Sequence, residues 1–304
     1  MNILEQIISV TFAYSVIRVT IPILLPALGA LVTNKAGVPN IGLEGIMLTS
    51  AFFGVLGSAY TESAILGVII AVLVGIIMAM FLAFFTLKLK TDVILGGIAI
   101  NLFASNLTVF LLYIVTGDKG TSASLPSKVV SNIKIPLVND IPVVGKIISN
   151  QNILVYIALL FTIVLYILLK KTKLGLHIRA TGENQDAAAS VGIKVNKIRF
   201  ISFIISGVLC GLAGAFLSMG YVSWFSRDMT AGRGWIALAA EAMGMGTISG
   251  TILASLLFGT ASVISNTFQL FGLPTEIVSI IPNILTVITL LIYSINKSRK
   301  KGKI

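Results

Sequence analysis

Apolar runs of about twenty residues follow one another along most of this chain, with the charges gathered between them. They fall near Thr11–Thr33, Gly45–Tyr60, Ala64–Leu87, Asp92–Thr116, Asn152–Leu169, Phe200–Met219, Gly234–Met245, Ser249–Leu270 and Thr275–Ser294. As a helix, each full-length run spans the hydrocarbon layer of a bilayer, which is ~30 Å thick. The expected fold is therefore all-α: a polytopic helical membrane bundle with about nine transmembrane segments, forming one domain over residues 1–304. Gly45–Tyr60 and Gly234–Met245 are short and glycine-interrupted, so each is expected to be a broken or re-entrant helix.

Composition closes the alternative. Only 11% of the 304 residues are charged and 56% are hydrophobic, with a mean hydropathy of +1.01. A soluble domain carries about 25% charged residues to keep its surface wet. The net charge of +11 points to no nucleic acid, because the basic residues form short clusters between apolar runs and no nucleic-acid motif accompanies them.

Those clusters set an expected orientation. Lys88 and Lys90 end the third run, the segment 170–199 holds seven lysines and arginines, and the tail 296–304 holds five with no acid to balance them. All three regions are expected on the cytoplasmic side of a cell membrane. Counting crossings then places the C-terminus inside, the N-terminus outside and uncleaved, and the loop 117–151 outside. A loop of that length is either a platform for a partner or a connector packed over the bundle.

The chain offers no catalytic constellation. His177 is its single histidine and Cys210 its single cysteine; no metal-ligand spacing and no phosphate-binding Gly-Lys-Ser/Thr loop is present. The expectation is a non-enzyme with no cofactor of its own. What the runs do hold is polar groups at membrane depth: Asn40, Glu44, Asn101, Asn106, Glu241 and Asn266 are the candidates for a solute pathway. For the amides, helix–helix bonding and solute contact stay equally open. For Glu44 and Glu241, pairing with Arg18 or with a backbone N–H stands beside solute contact. Glu44 follows a break rich in glycine and proline, and a second glycine-dense region brackets Glu241; paired breaks of this kind mark transport paths.

Between the fifth and sixth runs, Thr181 or Asn184 is placed to cap a short helix that Gly192 ends. So short a helix on the solvent side is marginal alone and makes sense docked into another protein. At these residues the chain resembles the permease subunits of ABC importers for branched-chain amino acids, simple sugars and nucleosides, with its nearest likeness among the nucleoside permeases. Asn34 to Met47 and Arg179 to Ile193 carry the resemblance, and the glycines from Gly207 to Gly214 continue it. Pro39 departs from it, standing where a small or branched residue is expected.

The resemblance implies that the segment 170–199 holds a coupling helix, with Arg179, Thr181, Gly182, Glu183, Asn184, Ala187, Ala188 and Gly192 facing an ATPase subunit. It also implies a second permease chain, forming a heterodimer, and an extracytoplasmic solute-binding protein, with ATP and magnesium held by the ATPase. The expected solute is a nucleoside. A ribose-type sugar is the alternative within the family, and a secondary transporter or channel the alternative outside it.

Overall fold

The computed structural model describes residues 9–134 and 149–270, with single helical positions at 145, 147, 284, 287 and 288. Among the described residues, seven helices are long and apolar enough to cross a membrane. They are α1 (Val10–Lys35), α2 (Leu43–Thr61), α3 (Ala64–Ala83, extended by a wider turn to Lys88), α4 (Val93–Thr116), α5 (Ile153–Lys171), α8 (Val195–Phe216, extended to Tyr221) and α10 (Ile248–Leu270). Three shorter helices, α6 (Lys173–Glu183), α7 (Gln185–Ser190) and α9 (Arg233–Met243), complete the set. The expected run at Thr275–Ser294 and the basic tail lie outside the described residues.

Polar side chains at the ends of the runs start the helices. Asp92 Oδ1 accepts from the N–H groups of Ile94 and Leu95 at 2.9 and 3.0 Å. Asn152 Oδ1 accepts from Leu154 N at 3.0 Å, and Thr172 Oγ1 from Gly175 N at 3.1 Å. Each replaces a partner that the first turn of a helix lacks, worth ~1 kcal/mol.

The bundle has a core and a rim. The most apolar stretch of α1 is 89% buried, against 22% for α4, so α1 runs through the centre with α2 and α8 beside it. Pro22 and Pro26 sit inside α1, where the surrounding helices compensate the lost backbone bond. On the rim, Ile65, Ile69, Leu73, Ile77 and Phe81 line one exposed face of α3, and Leu102, Phe103 and Phe110 are exposed on α4. Water does not tolerate a continuous apolar belt of this extent, whereas lipid does.

Glycines bring α3 and α8 into backbone contact. A Cβ added at Gly207 would lie 2.6 Å from Gly75 O, and one added at Gly211 would lie 2.7 Å from Val72 Cα. Small residues at such a crossing permit the close packing on which association in lipid depends.

One end of the bundle gathers Lys88, Lys90, Lys170, Lys171, Lys194 and Lys197 at helix ends and turns; we call it the basic end. The other end carries the described part of the long loop. There Ser58 Oγ donates to Lys128 O at 2.7 Å, Asn132–Ile133 pairs antiparallel with Gln151–Asn152, and Ser122 N donates to Phe225 O at 2.9 Å. This part of the loop is packed on the bundle and pinned at several points.

The run Gly234–Met245 does not cross as a helix. Only Arg233–Met243, 11 residues, is helical, and that is ~16 Å of rise against ~30 Å of hydrocarbon. The chain leaves the loop end at Tyr221, descends without helix to Gly232, and continues as α9 to the basic end, where a Cβ on Gly246 would be 3.6 Å from Lys35 Nζ. Loop and half-helix together make the traverse that the run was expected to make alone, so seven of the eight expected runs that fall among the described residues form long helices. The run Gly45–Tyr60, by contrast, forms the 19-residue helix α2 and is not broken within itself; its break precedes it.

Gly207→Val is expected to force α3 and α8 apart and to cost about 1–3 kcal/mol. Gly96→Ala, whose Cβ would meet nothing closer than 3.4 Å, is expected to be neutral or slightly stabilising. Thermal unfolding of the purified protein in detergent distinguishes them; equal melting temperatures would count against the contact.

Candidate functional site: two helix starts inside the bundle

The segment between α1 and α2 turns inside the protein. Asn40 is fully buried; its Nδ2 donates to Ser206 Oγ at 2.9 Å and its Oδ1 accepts from Gly42 N at 3.0 Å. Asn101 on α4 closes the other side, accepting from Gly45 N at 2.8 Å and donating to Ile41 O at 3.0 Å. Both amides thus complete the backbone of the break before α2.

Glu44, in the first turn of α2, reaches the start of α9. Its Oε1 accepts from Gly232 N at 2.7 Å and its Oε2 from Gly234 N at 2.6 Å. The backbones touch there: a Cβ on Gly234 would lie 2.5 Å from Glu44 N. The carboxylate therefore serves two helix N-termini, where the macrodipole favours negative charge. The guanidinium of Arg233 caps Met229 O and Thr230 O at 3.1 Å. Of the two expected partners for Glu44, the backbone N–H is the one found. Arg18 is used elsewhere, donating to Gly220 O and Tyr221 O at 3.2 and 2.7 Å and lying over the Tyr221 ring.

Glu241 lies at the opposite end of α9, nearer the basic end. It is buried and accepts from Asn34 Nδ2. A polar cavity of about 360 Å³ opens there, lined by Asn34, Lys35, Arg179, Gly182, Glu183 and Glu241. The structure therefore gathers Asn40, Glu44 and Asn101 around the start of α2 and sets Glu241 apart from them. Asn106 is exposed on α4 and bonds within its own helix to Leu102 O at 2.8 Å. Asn266 is exposed on α10.

The segment 170–199 departs from its expected form. Of the two expected caps Asn184 is the one found, accepting from Asp186 N and Ala187 N at 3.0 Å to start α7, but a second helix, α6, precedes it and ends at the same residue. Thr181 caps nothing: it lies within α6, 1% exposed, and its hydroxyl has no partner. The longer α6 forms because Thr172 starts it earlier than the alanines suggested. Gly182 faces α1 so tightly that a Cβ would meet Lys35 O. Gly37, at φ +79°, supplies the other half of that contact, and Arg199 Nε holds Ala36 O at 3.2 Å while its Nη2 holds Gln185 Oε1 at 3.0 Å. Ala188 is also buried, while Arg179, Glu183, Asn184, Ala187 and Gly192 are exposed. At the tip, Gly192 takes φ +86° and Val191 stands 77% exposed.

The two sequence motifs that are 145 residues apart at Gly37 and Gly182 are thus one contact in space. Sequence reasoning missed that contact, and also missed Arg227 and Asp228, which sit on the non-helical descent outside any apolar run.

Glu44→Ala is expected to expose the N–H groups of Gly232 and Gly234, each losing a charge-assisted bond of about 1.5–3 kcal/mol. Hydrogen exchange at those two amides should quicken by at least about tenfold, with amides of α1 unchanged. Unaltered exchange at residues 232–234 would refute the cap.

Comparison with known proteins agrees with this architecture. A family model described as the branched-chain amino acid transport system / permease component matches residues 12–290. The guanosine ABC transporter permease protein NupQ of Bacillus subtilis is 33% identical over 300 residues, covering 95% of this chain and 92% of that protein. The nucleoside ABC transporter permease protein NupC of Lactococcus lactis is 31% identical, covering 96% and 93%. A putative glucose ABC transporter permease protein of Haloferax volcanii is 32% identical, covering 82% and 76%. Among solved structures, an inward-facing conformation of a putative metal-chelate type ABC transporter is similar in fold, with a TM-score of 0.52 at 17% identity over 96% of this chain and 90% of that one.

Proposed function

Because the chain belongs to the family of branched-chain amino acid transport system permease components, we propose that it forms half of the translocation pathway of an ATP-driven nucleoside importer in the cell membrane. The nucleoside reading draws on the two relatives named for guanosine and nucleosides, which align over nearly the whole of both chains. A simple sugar is the second reading, favoured by the relative named for glucose.

Its partners are a second permease chain, cytoplasmic ATPase subunits that hold ATP and magnesium, and an extracytoplasmic solute-binding protein. The basic end faces the cytoplasm, as the positive-inside rule requires, and the C-terminus lies on that side. The observation that carries the mechanism is the seating of α6 on the end of α1. The exposed surface of α6 and α7, with Glu183, Asn184, Ala187 and Val191, is the ATPase-facing surface. Motion delivered to it reaches Lys35 through the Gly182 contact, and reaches α9 through the bond from Asn34 to Glu241. Alternating access requires such a connection between the ATPase and an element at membrane depth.

Uptake of radiolabelled guanosine by cells with and without this chain, partner subunits present in both, tests the substrate. Uptake that vanishes with the chain and resists competition by glucose and ribose is the expected result. Lost sugar uptake with intact guanosine uptake would select the sugar reading instead. Gly182→Val is expected to lower uptake by about tenfold while the assembled complex still hydrolyses ATP. Undiminished uptake would detach α6 from the coupling route.

A further inference from the structure

Arg227 and Asp228 are exposed, at 62% and 54%, on the non-helical descent from α8 to α9. Ser105 Oγ donates to Asp228 Oδ1 at 2.8 Å. Ser105 stands twelve residues after the start of α4 and eleven before its end, so this bond lies near the midpoint of a crossing helix. Asn106, beside it, is also exposed. An ionised pair at that depth cannot face lipid without heavy cost, and such groups mark solute paths or watery cavities. The pair is built in rather than loosely attached. Arg227 N donates to Gly120 O at 2.8 Å, and a tight turn closes from Ala231 N to Asp228 O at 2.9 Å. Asp228 takes φ +51° within that turn, a conformation that costs free energy and persists only where its surroundings hold it.

We propose that Asp228, with Ser105 and Arg227 beside it, is a solute-contact point on the pathway wall that accepts the vicinal hydroxyls of a ribose; this rests on the nucleoside reading. An ionised carboxylate has about four acceptor positions. Ser105 uses one on Oδ1, and Arg227 Nε lies 3.4 Å from Oδ2. One position on each oxygen is left, and two adjacent hydroxyl donors fill them. A 2′-deoxyribose brings one donor fewer and leaves an acceptor without a partner at membrane depth. The site therefore favours ribonucleosides over 2′-deoxyribonucleosides.

The test uses the full complex in proteoliposomes with ATP inside the ATPase compartment. Wild type is expected to take up guanosine in preference to 2′-deoxyguanosine by about tenfold or more, and Asp228→Asn to lose most of that preference while retaining ATP hydrolysis. In parallel, Ser105→Cys is treated with a charged, membrane-impermeant thiol reagent; the native Cys210 is fully buried and gives no background. Labelling that guanosine slows supports the contact. A preference unchanged in Asp228→Asn, or a Ser105→Cys that is unreactive or reacts without protection, overturns it and leaves the cluster as packing against the second permease chain. If wild type takes up no nucleoside, the function reading fails separately. The diol contact is then decided by whether ribose protects Ser105→Cys.

Discussion

A helix that begins inside a bilayer exposes N–H groups that no water can satisfy, and the described residues contain two such starts. The break before α2 and the break before α9 are brought together, and the carboxylate of Glu44 bonds Gly232 N and Gly234 N across them. An unsatisfied backbone group in hydrocarbon costs several kcal/mol, so the half-helix can exist only where a partner of this kind reaches it. Asn40 and Asn101 do the same for the first break, through Gly42 N, Gly45 N and Ile41 O. Polar residues that looked like pathway candidates are thus committed to holding backbone at membrane depth. That commitment is compatible with lining a path, because non-helical backbone in a membrane is found where it borders protein or water.

From this junction the organisation spreads in both directions. Upward, the descent from Tyr221 is fastened by Arg18, by Ser122 and by Gly120. Downward, α9 ends where Glu241 meets Asn34, one residue before the lysine whose carbonyl presses on Gly182. The last turn of α1 is therefore shared between α6 on one side and α9 on the other. Since α1 is the most enclosed of the long helices, a shift of α6 has little freedom to dissipate into lipid.

Much of this was legible in the chain. Hydropathy located the long helices to within a few residues, with runs expected to begin at Asp92 and Asn152, and Asn184 announced a helix start that the structure bears out, because caps are local chemistry. What failed was what locality cannot supply. The run at Gly234–Met245 is apolar enough to suggest a crossing, but the segment that precedes it, with Arg227 and Asp228, turns rather than coils. Thr181 has the chemistry of a cap and is buried instead, because Thr172 competes for the helix start and wins by standing upstream of it. The partners of Glu44 are 188 and 190 residues distant, and no periodicity encodes that. Asn40 is a similar case: its partner Ser206 is on the far side of the chain, and only the closeness of Gly29 to Ser206 makes room for the approach.

The backbone around α9 explains why a half-helix is used rather than a full one. Asp228, Ala231 and Gly232 before it, and Met245 and Gly246 after it, all adopt positive φ. For the three that are not glycine this conformation is strained, and strained residues persist only where surrounding contacts overdetermine them. A continuous helix through residues 222–246 would relieve the strain, yet it would withdraw Asp228 from Ser105 and remove the N-terminus that Glu44 binds. Its hydrogen bonds would also all lie within the segment, so the segment could move only as a whole. A short helix between two strained joints is different. It is anchored at its start by Glu44 on α2 and near its end by Asn34 on α1, and a small displacement of either anchor turns the rod without breaking its internal bonds. The strain is thus the cost of an element whose position is set from two directions, one of them the end of the bundle that meets α6.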